Sequence, residues 1–174
     1  MTAPQPWPAT VPLLAPRLYL EPLRVEHARE AVTLLDDPRL HTWTGGAPST
    51  LAQLETRYAR QSTGRSPDGA QGWLNWMLRR TADAQLIGTV QTTLRRPSAA
   101  RLEATLAWVI GVDYQGNGYG REAALTMARW LRAHGATELV AYIHPEHEAS
   151  MGIALALGLT ASEAMVGGEV LWSG

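Results

Sequence analysis

The sequence predicts an α/β fold of the α+β type, built on a mostly antiparallel sheet with helices on both faces. The first observation behind this prediction is a run of three strand-like segments in the middle of the chain, separated only by short turns. Consecutive strands with short connections pair as an antiparallel meander. The second observation is that helical and extended patterns alternate after Gly111. Together they predict the element order β-α-α-β-β-β-α-β-α-β-β.

The segment before the meander contains one predicted strand and two predicted helices. Alternation over residues 17–22 predicts the first strand, which Pro22 helps to end. Over residues 28–35, apolar side chains recur at i, i+3, i+4 and i+7, which indicates one face of a helix. The run Asp36-Asp37-Pro38 ends that helix. A Thr and a Gln with capping-box spacing begin a second helix over residues 50–62.

The meander is rich in large and β-branched residues, and Ala82-Asp83 and Arg96-Pro97-Ser98 supply its predicted turns. Gly88 is predicted to mark a bulge in its middle strand. Gly167-Gly168 is predicted as the turn of a closing hairpin. The predicted elements from the meander onward are strands Trp73–Arg80, Leu86–Leu94 and Leu102–Ile110, helix Tyr119–His134, strand Glu138–Ile143, helix Glu148–Leu157, and hairpin strands Leu159–Met165 and Glu169–Trp172.

Length and composition predict a single globular domain over residues 16–174, preceded by an extended Pro-rich arm over residues 1–15. The arm has no apolar run and is not expected to be a signal peptide. The formal net charge of -1 predicts neither a nucleic-acid nor a membrane partner. The absence of cysteine excludes disulfides and thiolate metal sites. We expect a cytoplasmic protein, either a monomer or a homodimer.

The most informative segment is a glycine-rich turn between a predicted strand and a predicted helix. Glycines at 116, 118 and 120 let the backbone turn tightly and approach a ligand closely. The first N–H groups of a helix have no internal partner, and the helix dipole favours negative charge there. The arrangement therefore predicts an anion site suited to phosphate.

Two common phosphate motifs do not fit this turn. In a dinucleotide fingerprint that began at Gly116, the third glycine would fall at Arg121. A P-loop requires Gly-Lys-Ser/Thr, which the segment lacks. The acyl-CoA signature Q/R-x-x-G-x-G/A does fit, as Gln115-Gly116-Asn117-Gly118-Tyr119-Gly120.

At this signature the sequence resembles the GNAT superfamily of N-acetyltransferases, and within it the RimJ/RimL-like branch that acetylates N-termini of ribosomal proteins. The similarity covers about residues 15–172, and its segments occur in the family's order. Those segments are Ala15–Arg24, Leu34–Arg39, Leu86–Gly88, Trp108–Gly111, the glycine turn, Arg121–Ala124, His144–Ser150 and Leu157–Leu159.

The resemblance implies a GNAT-like mixed sheet that opens after its fourth predicted strand. It implies acetyl-CoA as co-substrate, with pantetheine in the opening and pyrophosphate on the glycine turn. An amine acceptor would attack the thioester directly, without an acyl-enzyme and without a metal ion. The implied cofactor-binding residues are Val109, Ile110, Val112, Gln115, Gly116, Asn117, Gly118, Tyr119, Gly120, Arg121 and Ser150.

The catalytic candidates are less well defined. Ser150 matches a family serine near the pantetheine sulfur, whereas His147 stands where the family usually has Asn. The family's usual proton donor is a later Tyr, and no Tyr follows Tyr142. The candidates for the proton donor are therefore Ser150, His147 and water. Glu103 is a candidate base acting through water, but a solvated strand carboxylate is the favoured interpretation.

Other residues have two possible interpretations. Trp43, in a loop, is predicted to form a wall of the acceptor site, and Trp108 is predicted to be core rather than a substrate contact. His27 and His134 are predicted to be solvated helix residues. Because the usual Tyr is absent and His147 replaces Asn, a non-catalytic acyl-CoA-binding module is the alternative function. A nucleotide-dependent oxidoreductase is disfavoured by the failed fingerprint.

Overall fold

The computed structural model describes residues 6–174, which form an eight-stranded sheet and five helices. The sheet order is β1-β2-β3-β4-β5-β6-β8-β7, and every neighbouring pair is antiparallel except β5 and β6. The predicted fold class is therefore confirmed. The elements are β1 Leu13–Leu14, β2 Leu18–Pro22, α1 Ala28–Leu34, α2 His41–Thr44, α3 Leu51–Gln61, β3 Gly72–Arg80, β4 Leu86–Ser98, β5 Arg101–Ile110, α4 Tyr119–Ala133, β6 Glu138–Ile143, α5 Glu148–Ala156, β7 Thr160–Val166 and β8 Glu169–Ser173.

The central strands bury side chains on both faces, so the sheet lies between two helical layers. Trp76 of β3 belongs to the larger core cluster, together with Met127 and Leu131 of α4. Met77, its neighbour in sequence, points to the opposite face and packs in a second cluster with Leu54 of α3 and residues of α1. This alternation follows from the two-residue period of a strand. No helix within residues 6–174 has the length and apolar character needed to cross a membrane.

The sheet opens between β5 and β6. These strands pair in parallel only where Glu103–Thr105 faces Glu138–Val140. Beyond that point β5 continues to Ile110, while the remaining residues of β6 pair with β8. The segment 106–110 of β5 therefore has no strand partner on its β6 side within the described chain. This edge is where an extended ligand could pair with the backbone.

The predicted bulge at Gly88 is present. Leu78 faces Gly88 and Arg79 faces Leu86, so Ile87 is the extra residue of β4. A Cβ atom on Gly88 would lie 2.3 Å from the carbonyl oxygen of Val109, so only glycine fits this close approach. The bulge therefore lies beside the end of β5 that has no partner on its other side.

One predicted turn is misplaced, and two short elements were missed. The predicted turn Arg96-Pro97-Ser98 belongs to β4, and the chain turns at residues 99–100 instead. Pro97 fits there because it lies at an irregularity of the ladder, where no N–H group is needed. The short elements β1 and α2 were not predicted.

The prediction that His27 is solvated is wrong, because it is 3% exposed. Its Nδ1 accepts a hydrogen bond from the backbone N of Arg24, and its Nε2 lies 3.1 Å from the carboxylate of Glu21. A buried histidine needs such partners. The chain supplies them by folding the end of β2 back onto the first helical turn, which local periodicity does not reveal.

Candidate functional site

A cavity of about 820 Å³ lies beside the unpaired end of β5 and extends to the start of α4. Its walls come from α2, the end of β5, the glycine turn, the first turn of α4 and α5. Most of the residues predicted from the sequence to bind a cofactor line it. They are Val109, Ile110, Val112, Gln115, Gly116, Gly118, Tyr119, Gly120, Arg121 and Ser150.

The glycine turn presents unpaired backbone donors to this cavity. Gly116 and Gly118 have φ angles of 76° and 79°, a left-handed conformation that favours glycine. The first hydrogen bond of α4 runs from Glu122 N to Gly118 O. The N–H groups of residues 119–121 therefore have no helical acceptor. At Gly120, a Cβ atom would lie 3.1 Å from Ile153, so glycine also allows α4 and α5 to pack closely.

Asn117 is the one predicted cofactor residue that does not line the cavity. Its side-chain amide donates to the carbonyl oxygens of Tyr114 and Gln115, both at 3.1 Å. The Gln115 amide in turn donates to Ile110 O at 2.9 Å. These bonds fix the shape of the turn and connect it to the end of β5.

Ser150 lies across the opening from β5 and is held by two aromatic residues. Trp108 Nε1 donates a 3.0 Å hydrogen bond to Ser150 Oγ. His147 Nε2 lies 3.5 Å from the same oxygen. Because Ser150 Oγ accepts from Trp108, the hydroxyl hydrogen remains available to another acceptor. Trp108 was predicted to be core; it packs against the core and lines the cavity as well.

His147 is the N-cap of α5. Its Nδ1 accepts a 3.1 Å hydrogen bond from the backbone N of Ser150, so the neutral ring carries its hydrogen on Nε2. Burial lowers the pKa of His147 below its ordinary value, which also favours the neutral form. The Trp43 ring packs against His147, with centroids 4.8 Å apart. Trp43, carried by α2, therefore lines the cavity close to Ser150.

Glu103 is not brought to this site. It lies five residues before Trp108 on β5, which corresponds to roughly 16 Å along an extended strand. Its carboxylate is 3.7 Å from Arg101, whose guanidinium also pairs with Glu138. Glu103 was a candidate because it is an acid on the predicted strand, but position along that strand separates it from the cavity. The described residues contain no group of three or more side chains suited to a metal ion.

Residues 17–160 match the family model of the acetyltransferase (GNAT) domain. The chain belongs to the GNAT acetyltransferase family. No curated protein sequence matches this chain. The family assignment therefore rests on the domain model, and the solved structures add a comparison of folds.

Several solved GNAT structures share the fold at low sequence identity. A GNAT-family acetyltransferase from Bacillus anthracis has a TM-score of 0.70 and 14% identity, covering 94% of this chain and 95% of that one. RimL, a ribosomal L7/L12 α-N-protein acetyltransferase in complex with coenzyme A, has a TM-score of 0.76 and 11% identity over 94% and 97%. The microcin C7 self-immunity acetyltransferase MccE, in complex with acetyl-CoA and AMP, has a TM-score of 0.71 and 14% identity over 91% and 92%.

In this GNAT domain, sequence reasoning missed one residue that supports the glycine turn. Arg17, which precedes β2, donates from Nε to Glu122 at 2.7 Å and from Nη1 to the carbonyl oxygen of Asn117 at 2.9 Å. Its guanidinium also lies 4.5 Å from the Tyr119 ring centroid. Arg17 thus joins the turn to α4 without lining the cavity itself. Because these partners are more than 95 residues away in sequence, no local signal could identify it.

We expect Arg17→Gln to weaken acetyl-CoA binding by roughly tenfold, because it removes charge-assisted bonds that shape the turn. Isothermal titration of both proteins with acetyl-CoA measures the effect. Arg129→Gln is the matched control, since Arg129 is an exposed arginine of α4 whose side chain, within residues 6–174, bonds Leu125 O alone. Equal dissociation constants for wild type and Arg17→Gln would show that the turn does not depend on Arg17.

Proposed function

We propose that this GNAT protein is an acetyl-CoA-dependent N-acetyltransferase that transfers the acetyl group to a primary amine by direct attack. One observation carries the proposal: a single cavity connects the unpaired N–H groups of α4, the open edge of β5 and the hydroxyl of Ser150. These features suit, in order, a pyrophosphate, a pantetheine arm and a thioester sulfur. We assign the activity to residues 16–174, preceded by an extended arm; residues 1–5 of the predicted arm 1–15 lie outside the described residues.

The cofactor-binding assignments follow the order of groups in acetyl-CoA. The pyrophosphate would accept hydrogen bonds from the turn between Gln115 and Gly120, where the helix dipole adds a favourable field. Arg121 lines the same wall, and its guanidinium has no hydrogen bond or ion pair within the described chain. The pantetheine amides would pair with the backbone of Val109–Val112, as a peptide pairs with a free strand edge.

The chemical step transfers the acetyl group between two nucleophiles. The amine nitrogen forms a bond to the thioester carbon, the carbon–sulfur bond breaks, and the electron pair leaves with sulfur. Ser150 would donate its hydroxyl hydrogen to the departing thiolate, because Trp108 occupies an acceptor position on its oxygen. The extra proton of the amine would pass through water to the Ser150 oxygen and restore its hydroxyl, since Glu103 lies far from the cavity, so the products are an amide and a free thiol.

We also propose a branch within GNAT and name one alternative function. Within GNAT, we favour the RimJ/RimL-like branch, because RimL has a TM-score of 0.76 to this chain and the quoted segments occur in that branch's order. The alternative function is a non-catalytic acyl-CoA-binding module. The absence of a Tyr after Tyr142 and the presence of His147 support that alternative.

Acetyl-CoA should stabilise the folded protein, because a ligand that binds only the native state adds RT ln(1 + [L]/Kd) to the free energy of unfolding. At about 100 times Kd, the gain is on the order of 2.7 kcal/mol. Thermal unfolding with acetyl-CoA measures it, and NADH is the control ligand for the disfavoured nucleotide-dependent oxidoreductase. No shift of the melting temperature at millimolar acetyl-CoA would refute the proposal. Release of free thiol from acetyl-CoA with a panel of amines then separates the enzyme from a binding module.

A further inference from the structure

Three aromatic rings line the cavity of about 820 Å³, here called the donor cavity, in the region of Ser150. Trp108 Nε1 donates to Ser150 Oγ at 3.0 Å, and His147 Nε2 lies 3.5 Å from the same oxygen. The Trp43 ring comes next, with its centroid 4.8 Å from that of His147. The contacts run without a gap from Trp108 through Ser150 and His147 to Trp43, so the rings form one wall beside the Ser150 hydroxyl.

This wall separates the donor cavity from a smaller cavity of about 260 Å³. The residues that line both cavities are Trp43, Thr44, Trp108, Val109, His147 and Ser150. Because the rings lie between two distinct cavities, they form a partition and not a passage. A group bonded to a sulfur beside Ser150 would therefore meet this partition as it extends away from the pantetheine arm.

The Trp43 ring is supported by two histidines that the backbone holds in place. His144 lines the smaller cavity but not the donor cavity, and its ring centroid lies 5.1 Å from that of Trp43. His144 Nδ1 accepts a 3.2 Å hydrogen bond from the backbone N of Glu146, just as His147 Nδ1 accepts one from Ser150 N. Because both imidazoles are fixed by backbone donors, the indole that packs against them has little freedom to move aside.

Trp43 is not needed for the core of the domain. It is half-buried and belongs to neither of the two core clusters that the described residues form. The helix that carries it, α2, is held by other groups: Thr44 Oγ1 donates to Leu40 O at 3.1 Å, and Gly45 N donates to His41 O at 2.9 Å. Truncation of the Trp43 side chain should therefore change the shape of the donor cavity and leave the protein folded.

We propose that Trp43 limits the length of the acyl group on the donor, so that the protein accepts acetyl-CoA and excludes longer acyl-CoA esters. The inference rests on the proposed function, because that function places the thioester sulfur beside Ser150. An acetyl group extends only one methyl group beyond its carbonyl carbon, whereas each further methylene would have to displace the supported Trp43 ring. Extra methylenes in a well-packed site force such shifts at a cost, and one methylene changes discrimination by about 10- to 200-fold.

The test is titration calorimetry with coenzyme A, acetyl-CoA and butyryl-CoA. For the wild type, we expect Kd for butyryl-CoA to exceed Kd for acetyl-CoA by at least about tenfold. In Trp43→Ala this ratio should fall below about threefold, because the ring that blocks the longer chain is gone. Trp43→Phe, which keeps a smaller ring, should give an intermediate ratio. Equal dissociation constants for the two esters in the wild type would overturn the inference.

Trp73→Ala is the matched control for the substitution itself. Trp73 is also a half-buried tryptophan, but it lies on β3 and lines a different cavity. This variant should keep the wild-type ratio, and coenzyme A, which carries no acyl group, should bind all four proteins with the same Kd. A ratio that persists in Trp43→Ala, or that falls equally in Trp73→Ala, would refute the inference. Loss of coenzyme A binding in a folded Trp43→Ala would assign the ring to the pantetheine arm and refute it as well.

Because the titrations need no turnover, their outcome and that of the amine panel separate the two proposals. If Trp43 excludes butyryl-CoA but no amine is acetylated, the inference stands and transfer to an amine fails. If amines are acylated equally well from acetyl-CoA and butyryl-CoA, the proposed function stands and the inference fails. If neither coenzyme A nor either ester binds, both proposals fail together.

Discussion

Gly118→Asp should abolish acetyl-CoA binding while leaving the protein folded. Gly118 directly precedes α4 with a φ of 79°, a conformation that Asp and Asn adopt more readily than other side chains. A carboxylate there would lie beside the unpaired N–H groups and within reach of Arg17, whose Nη2 would be 3.4 Å from the new Cβ. The negative charge would oppose the pyrophosphate. For one pair of charges about 5 Å apart, this amounts to about 3 kcal/mol, or more than a hundredfold in Kd.

Gly118→Asn is the matched control, because it has nearly the same size and backbone strain without the charge. Titration calorimetry with acetyl-CoA should show little or no binding to the Asp variant and a much smaller loss for the Asn variant. Circular dichroism should show that both variants are folded. If Gly118→Asp binds coenzyme A like the wild type, the pyrophosphate site lies elsewhere in the molecule.

The second large effect is expected at Ser150. Ser150→Ala removes the hydroxyl that is held by Trp108 at 3.0 Å, and with it the proposed proton donor. General acid assistance typically contributes 10²–10⁴-fold, so kcat should fall by about that range while acetyl-CoA affinity changes little. Steady-state kinetics measures kcat, and direct titration measures the affinity for acetyl-CoA. Ser162→Ala, an exposed serine of β7, is the control for the substitution itself. A kcat within about threefold of wild type would remove Ser150 from the chemical step.

His147→Asn provides the comparison that ranks the two donors. Asn can replace the side-chain cap of α5, so most of the activity should remain. Because burial lowers the pKa of His147, any change in kcat caused by protonation of His147 should occur below pH 6.5, its ordinary pKa. This change should be absent in the Asn variant. The contribution of the neutral His147 ring to the free energy of unfolding is fully present above pH 6.5. It is lost as the pH falls through the lower pKa of the folded state. A loss in kcat above about a hundredfold, with affinity intact, would rank His147 above Ser150.

Several elements of the fold could be predicted because their signals are local. The helix that begins at Tyr119 and the hairpin turn at Gly167-Gly168 follow from apolar spacing and from glycine chemistry within a few residues. By contrast, β1 is two residues long and exists only because it pairs with β2. The short helix α2 has no room for a helical period of its own. Such elements depend on partners that the local sequence does not identify.

In the candidate site, too, some residues have a local sequence signal and others depend on distant partners. The glycine turn was accessible from sequence, because one contiguous motif contains the glycines, the end of the strand and the start of the helix. The Ser150 region was accessible only through its resemblance to a family. Glu103 was placed near the site by its strand, yet position along that strand takes it roughly 16 Å away. Arg17 was missed because it meets Asn117 and Glu122 only after β2 packs beside α4.

By itself, the sequence determined the family, the order of the main elements and the glycine turn that precedes α4. Each of these is set by periodicity, by glycine's access to positive φ, or by residues adjacent in the chain. Only the tertiary structure decided that β5 and β6 part after three paired residues, that Trp108 holds Ser150, and that Trp7 packs over Gly72. These features depend on contacts between distant segments, and such contacts are selected by the packing of the whole domain rather than by any local pattern.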